Sequence, residues 1–379
     1  MNATNTQELV QFSELKTTGG HRIGIATLTR EKALNSLLLE TIDLLAAQFE
    51  QWSSMSDLVC IVINSSSERA FCAGADIQAL YRSCIDTADG VNDYAENFFS
   101  HEYALDFALH QSAKPVLVWG NGIVMGGGLG LLGGCSHRVG NPDTRIAMPE
   151  ITIGLFPDAG GTYFLSKMPS HLGLFMGLTG CQITAGDALS VGLLDVVIAS
   201  EDKSNVLQGL EQVQWSGEPE ADCVVLTDYL SRFTVNGPLP LQLLEHEASI
   251  CSLLDRSFAA GDFFEVFQAG LTDLTDDPWI QQAATTFMAG SPTTAHIFIE
   301  QMRRAESMSL ADMFRMELVI AYQCIRHAEF PEGVRALMID KDKNPIWKHA
   351  AFTDVPKDWI AEFFQPSWSG SHPLSGLQN

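Results

Sequence analysis

Residues 120–134 read GNGIVMGGGLGLLGG, eight glycines in fifteen positions, and that run limits what the surrounding chain can build. Three consecutive glycines at a strand-to-helix junction leave the main chain bare. It can then approach a ligand closely and aim N–H groups at it, or pack a helix tightly on a sheet. The segment KPVLVWGNGIV supplies the strand, starting just after a proline.

Residues 128–133 also match G-x-G-x-x-G, the dinucleotide-binding pattern. That pattern needs a full helix after it and an acidic residue ending the next strand. Here LLGGCSHRVGNPDT breaks into glycines and a turn, and the next acid in an apolar setting, Glu150, follows Met148-Pro149 in a loop. The match is a chance one.

A second small-residue turn lies upstream in ERAFCAGADIQAL, where Ala73-Gly74-Ala75 follows a buried strand and leads into a helix with Asp76 near its start. Two such turns could supply two backbone N–H donors to a developing oxyanion. Close helix–sheet packing would use the same glycines equally well.

Two further stretches carry acids in apolar company. In MPEITIGLFPDAGGTYFL, Glu150 and Asp158 bracket a short apolar run. Taken singly, Glu150 reads as an exposed loop acid and Asp158 as a helix N-cap. Together, downstream of two donor turns, they could form an acid–base pair. In VNDYAENFFSHEYALDFALH, residues 91–110, helical spacing puts Val91, Tyr94, Phe98, Leu105 and Leu109 on one stripe, and Glu102 with them. A carboxylate there is costly unless paired or used. Periodicity alone favours a helix edge turned to solvent, or a basic partner.

The first 120 residues alternate strand, helix and strand: HRIGIATLT, then SLLLETIDLLAAQFEQW with Leu38, Ile42, Leu45, Phe49 and Trp52 on one face, then LVCIVINS. That is an α/β pattern. Residues 201–222 are polar and turn-rich and read as a connector, and the chain beyond them is mainly helical. A division into 1–205 and 206–379 is expected, with the role of 205–285 open. The 46 acidic against 22 basic residues, a net charge of −24, argue against a nucleic-acid partner, and an anionic ligand would need local help. The eight scattered cysteines fit a reducing compartment. The opening MNATNTQELVQFSEL has no targeting pattern, and no apolar run reaches membrane-span length, so a cytoplasmic protein with no membrane contact is expected.

AFCAGADI, NGIVMGGGLGL and MPEITIGLFPDAGGTYFL, in that order and spacing, resemble the crotonase (enoyl-CoA hydratase/isomerase) superfamily over residues 10–200. SPTTAHIFIEQM (291–302) and FPEGVRALMIDKDKNPIW (330–347) extend the resemblance to its 3-hydroxyisobutyryl-CoA hydrolase branch. The fold implied is an α/β, crotonase-like spiral of ββα units with a mainly helical C-terminal region. The implied oxyanion hole is the pair of Ala75 and Gly127 amides. Lys32, Ala33 and Leu34, with Ala73 and Ala75, match coenzyme A-binding positions. Glu102, Gly127, Glu150 and Asp158 match substrate-binding positions, with Glu150 and Asp158 catalytic.

The resemblance thus implies hydrolysis of a short branched 3-hydroxyacyl-CoA, foremost 3-hydroxyisobutyryl-CoA, as in valine breakdown. No cofactor or metal is implied, coenzyme A being part of the substrate, and a trimer or a multiple of it is a possible assembly. A hydratase or isomerase is the first alternative. Gly130 argues against hydration, because it stands where hydratases place their first catalytic glutamate. A coenzyme A-binding protein without catalysis is the second alternative.

Overall fold

LVCIVINS is apolar almost throughout, and all eight residues of the strand it forms, Leu58–Ser65, are buried. A strand covered on both faces belongs inside a parallel sheet, and the computed structural model places it there. The structure describes residues 9–87, 91–274 and 277–378; residues 1–8, part of the stretch expected to lack a targeting pattern, lie outside them. Six strands lie side by side in chain order: Val10–Lys16, Arg22–Leu28, Leu58–Ser65, Val116–Gly120, His137–Gly140 and Val196–Val197. The first pair is an antiparallel hairpin and the later pairings are parallel, with Ile61 opposite Val116 and Leu117 opposite His137.

The chain divides into two compact units. The first comprises Met1–Ala75, Ala108–Ile146 and Thr184–Pro240, and the second Asp76–Phe107, Ala147–Ile183 and Leu241–Asn379.

The first unit holds the six-stranded sheet. Segments Lys203–Gly209 and Pro219–Ser231 are helices, and the expected connector between residues 201 and 222 is instead core: Val206, Leu210, Val213 and Trp215 pack with Val62, Leu117 and Trp119 of the sheet. Polar residues dominate this stretch by number. Val206, Leu210, Val213 and Trp215 turn inward, and burying them against the strands drives the docking. The helix Leu39–Ser54 packs through Trp52, whose ring lies where a Cβ on Gly24 would sit.

The second unit is mainly helical. Its Leu172–Thr179 helix is buried at all eight positions, close enough to Pro292–Ala305 that a Cβ on Gly177 would fall 2.2 Å from the Phe298 ring. Phe264, Phe287 and Phe352 stack nearby, with the Phe287 and Phe352 ring centroids 4.4 Å apart. Among the described residues no helix is long and apolar enough to cross a membrane.

Candidate active site

In the first unit the expected donor turns are neighbours. The strands Ala70–Cys72 and Ile123–Met125 run parallel, so the segments that leave them start side by side. Gly74 has φ +89°; a Cβ on it would fall 3.0 Å from the Met125 carbonyl and 3.4 Å from the Gly127 nitrogen. Gly127 opens a helix of only seven residues, Gly127–Gly133, too short for a dinucleotide fold's first helix. Gly128 lets that helix approach the strand, since a Cβ there would lie 2.2 Å from the Cys72 carbonyl. The glycines therefore serve close packing and bare main chain at once. Among the described residues, neither the Ala75 nor the Gly127 amide is spent on a turn or loop carbonyl.

The segment carrying Lys32, Ala33 and Leu34 is joined to the same turn. Ala73 N–H donates to the Leu34 carbonyl at 3.0 Å and Leu37 N–H to the Gly74 carbonyl at 2.8 Å. Lys32 is exposed in the middle of the 3-10 turn Glu31–Ala33, and Leu34 closes that turn in the left-handed region at φ 51°. All five residues matched to coenzyme A binding thus fall on two bonded segments.

The second unit gathers the acids. Glu102 and Asp106, one turn apart on the helix Asp93–His110, are 2% and 0% exposed. Glu102 is therefore on the buried side and not on a solvent edge. Val91, 58% exposed, lies before the helix begins and leaves the expected stripe. Glu150 opens the 3-10 turn Glu150–Ile153 and is buried, against its reading as an exposed loop acid.

Asp158 is also buried and does not cap the next helix with its side chain. Its carboxylate instead accepts the Tyr103 hydroxyl proton at 2.7 Å on Oδ2. The capping falls to Glu317, fully buried on the helix Leu310–Arg326, whose two oxygens accept the Gly160 and Thr162 amides at 2.8 Å each. Gln301 donates to the Pro157 carbonyl at 2.8 Å. Between these holds, Ala159 and Gly160 both adopt positive φ, 52° and 82°, bending the chain so that Asp158 stays inside.

Five buried carboxyl groups, Glu102, Asp106, Glu150, Asp158 and Glu317, thus share one region, and the charges acting on them come from one another. Burial alone favours the neutral acid, and like charges add to that effect. Burial, then the field of Asp158, holds Glu150 well above the usual carboxylate range. Burial, Asp158 and Asp106 do the same to Glu102, and burial, Asp158 and Glu317 to Asp106. Burial pushes Glu317 up to about 8 against the pull of its hydrogen bonds. Asp158 reaches only about 6, since burial is opposed by the Tyr103 hydroxyl and a main-chain hydrogen bond. Asp158 is thus set apart from its more strongly raised neighbours, the kind of separation acid–base chemistry requires.

Glu102 Oε1, Glu150 Oε2 and both Asp106 oxygens have no hydrogen-bond partner among the described residues. Such buried groups are costly in a fold and available to a polar ligand. No three His, Cys, Asp or Glu side chains among the described residues are placed to hold a metal ion.

Sequence reasoning passed over Tyr103, Asp106, Gln301 and Glu317. Asp106 stands four residues after Glu102, within reach of the same helical logic. An acid inside MFRMELVIAY was the signal for Glu317.

Residues 23–364 match the profile of the enoyl-CoA hydratase/isomerase family. The chain is 34% identical to the mitochondrial 3-hydroxyisobutyryl-CoA hydrolase of Danio rerio over 90% of its own length and 87% of the relative's. To that of Homo sapiens it is 32% identical, over 90% and 86%. A solved carnitinyl-CoA dehydratase from Mycobacterium thermoresistibile superposes with a TM-score of 0.81 at 29% identity, covering 95% of this chain and 97% of that one. An enoyl-CoA hydratase from Rhodobacter sphaeroides gives 0.80 at 28%, covering 95% and 98%. The fold is accordingly α/β and crotonase-like with a mainly helical C-terminal region, and the chain belongs to the enoyl-CoA hydratase/isomerase family.

Proposed function

We propose that this protein hydrolyses a short branched 3-hydroxyacyl-CoA thioester, 3-hydroxyisobutyryl-CoA foremost, to the free hydroxy acid and coenzyme A. The observation that carries the reading is the Glu150 carboxyl group: buried, with Oε2 unpartnered, and in the field of Asp158. The relatives named 3-hydroxyisobutyryl-CoA hydrolase, matched over most of their length, support it.

In this reading the Ala75 and Gly127 amides take the thioester oxygen. Losing such a donor raises the barrier by about 2.7–4 kcal/mol. Lys32, Ala33, Leu34 and Ala73 lie along the coenzyme, with Lys32 as a local cation in an acidic protein. Burial and the Asp158 field favour the protonated form of Glu150, so turnover requires that its proton leave. Asp158, ionised above about pH 6, is the acceptor at hand. The freed Glu150 either takes a proton from water as that water attacks the acyl carbon, or attacks directly to form an anhydride that water opens. Either way the C–S bond breaks and the departing sulfur takes up a proton. Asp158, once protonated, can supply it. Glu102 fixes the polar end of the acyl group.

No cofactor enters this scheme. We place the protein in the cytoplasm, although the relatives' names say mitochondrial, and expect a trimer or a multiple of it; cell fractionation and light scattering test these two points.

A panel of acyl-CoA thioesters assayed for free thiol tests the activity. Fast release from 3-hydroxyisobutyryl-CoA is expected. Loss of enoyl-thioester absorbance without thiol release would instead identify a hydratase, the name the Rhodobacter sphaeroides relative carries. Ligand binding without any turnover would identify a coenzyme A-binding protein.

A further inference from the structure

The two carboxy-terminal motifs, SPTTAHIFIEQM and FPEGVRALMIDKDKNPIW, supply no group to the chemistry above, yet both close on the turn that carries Glu150. Ser291 N–H donates to the Ile151 carbonyl at 2.9 Å. Its hydroxyl donates to Glu329 Oε2 at 2.5 Å, the short end for an O–H···O bond, while accepting the Thr294 amide at 3.0 Å. Glu329 Oε1 accepts the Thr293 hydroxyl and the Lys348 amide, both at 3.1 Å. Ser291 and Glu329 are 0% and 4% exposed, so the bonds made by Ser291 and Thr293 are shielded from water.

The same turn is gripped from its other end by main chain. Gly154, φ +65°, closes it, and a Cβ there would fall 2.5 Å from the Glu329 carbonyl. A Cβ on Gly333 would fall 2.5 Å from Ile153 Cα, and one on Gly290 2.7 Å from the Ile151 side chain. Ile151, Ile153 and Gly154 are therefore all seated, and Glu150 is the end of the turn they aim.

We propose that Ser291 and Glu329 are positioning residues forming a latch that fixes the Glu150 turn, and that their joint service is to set the reach of that carboxyl group. The catalytic part of this inference rests on Glu150 being the reacting acid. A serine hydroxyl capping its own helix needs only to accept. Here its buried proton also needs an acceptor, and Glu329, 38 residues on, supplies one while its helix backbone holds the turn's far end.

The test uses the full chain with Ser291→Ala, Glu329→Gln, the double variant and Ser291→Thr. Amide hydrogen exchange of residues 150–155 is read without substrate, beside the melting temperature. The kcat and KM for thiol release are then compared. Each single variant is expected to speed exchange at 150–155 about tenfold or more over any change elsewhere, since it opens the turn locally. It should lower kcat about 10–100-fold, the scale of a small misplacement, with KM within about twofold.

The double variant should be no worse than the worse single one, because both act through one device. Ser291→Thr should restore kcat. Unchanged exchange at the turn, kcat losses that multiply in the double variant, or failure of Ser291→Thr to rescue with melting unaltered would each overturn the proposal. If the parent releases no thiol, the hydrolase reading fails, and the exchange arm alone decides the latch.

Discussion

Tyr103 and Asp158 share a hydrogen bond of 2.7 Å between two fully enclosed side chains, the tyrosine as donor. That bond holds Asp158 down to about 6 while burial drives its acidic neighbours higher. Without it, one group would no longer titrate apart from the rest.

Tyr103→Phe should therefore move the ascending limb of the kcat/KM profile to higher pH. A hydrogen bond to a charged group is worth about 1.5–3 kcal/mol, so the limb should move by about one unit or more. The sign is set by the hydroxyl, which stabilises the carboxylate form, so that its loss favours the acid. Rates measured from pH 5 to 9 check this. A limb that stays in place or moves to lower pH would contradict Asp158 as the proton acceptor.

Asp106 gives a stability prediction. Its carboxyl is held well above the usual range in the fold, whereas the unfolded chain ionises it near pH 3.9. Above that pH unfolding releases a proton, so the native state loses stability as pH rises, up to the folded pKa. Each such carboxyl contributes about 1.4 kcal/mol per pH unit across that window. The protein should melt highest in mild acid. Asp106→Asn should flatten the decline, raising the melting temperature at pH 8 and leaving it nearly unchanged at pH 4. Equal shifts at both values would show that Asp106 is not held protonated.

Gly74 tests the oxyanion assignment. Its φ of +89° strains any side chain placed there, and its would-be Cβ lies a tight 3.0 Å from the Met125 carbonyl. Gly74→Ala must displace the turn that carries Ala75. Loss of one aligned donor costs about a hundredfold or more in kcat, and the strained backbone adds about 1–2 kcal/mol of destabilisation. Steady-state kinetics on folded material check it. A variant that melts lower yet keeps its kcat would remove Ala75 from the oxyanion hole.

Much of this was legible because short-range chemistry decides it. LVCIVINS could only be a covered strand, and the structure forms it over Leu58–Ser65. The helix predicted over 36–52 appears as Leu39–Ser54 with Ile42, Leu45 and Trp52 buried. Glu102 sat on an apolar stripe that periodicity read as a helix edge, and its burial bears out the family resemblance instead.

What escaped was decided by distant residues. Asp158 reads locally as an N-cap, but Glu317, over 150 positions away, takes the amides, leaving Asp158 for Tyr103. Glu150 reads as an exposed loop acid because nothing nearby announces that Ser291 and Glu329 close over its turn. Residues 201–222 read as a connector because their four core side chains are outnumbered by polar ones. Interdigitated segments of a chain leave no mark in a local window.

Thiol release from 3-hydroxyisobutyryl-CoA, measured side by side for the parent and for Glu150→Gln, bears most directly on the account. The parent should turn over rapidly. The variant should fold, melt at the same temperature or higher now that a buried acid is gone, and lose about 10²–10⁴-fold in kcat. Comparable turnover in the two proteins would contradict the central claim that the buried Glu150 carboxyl group carries the reaction.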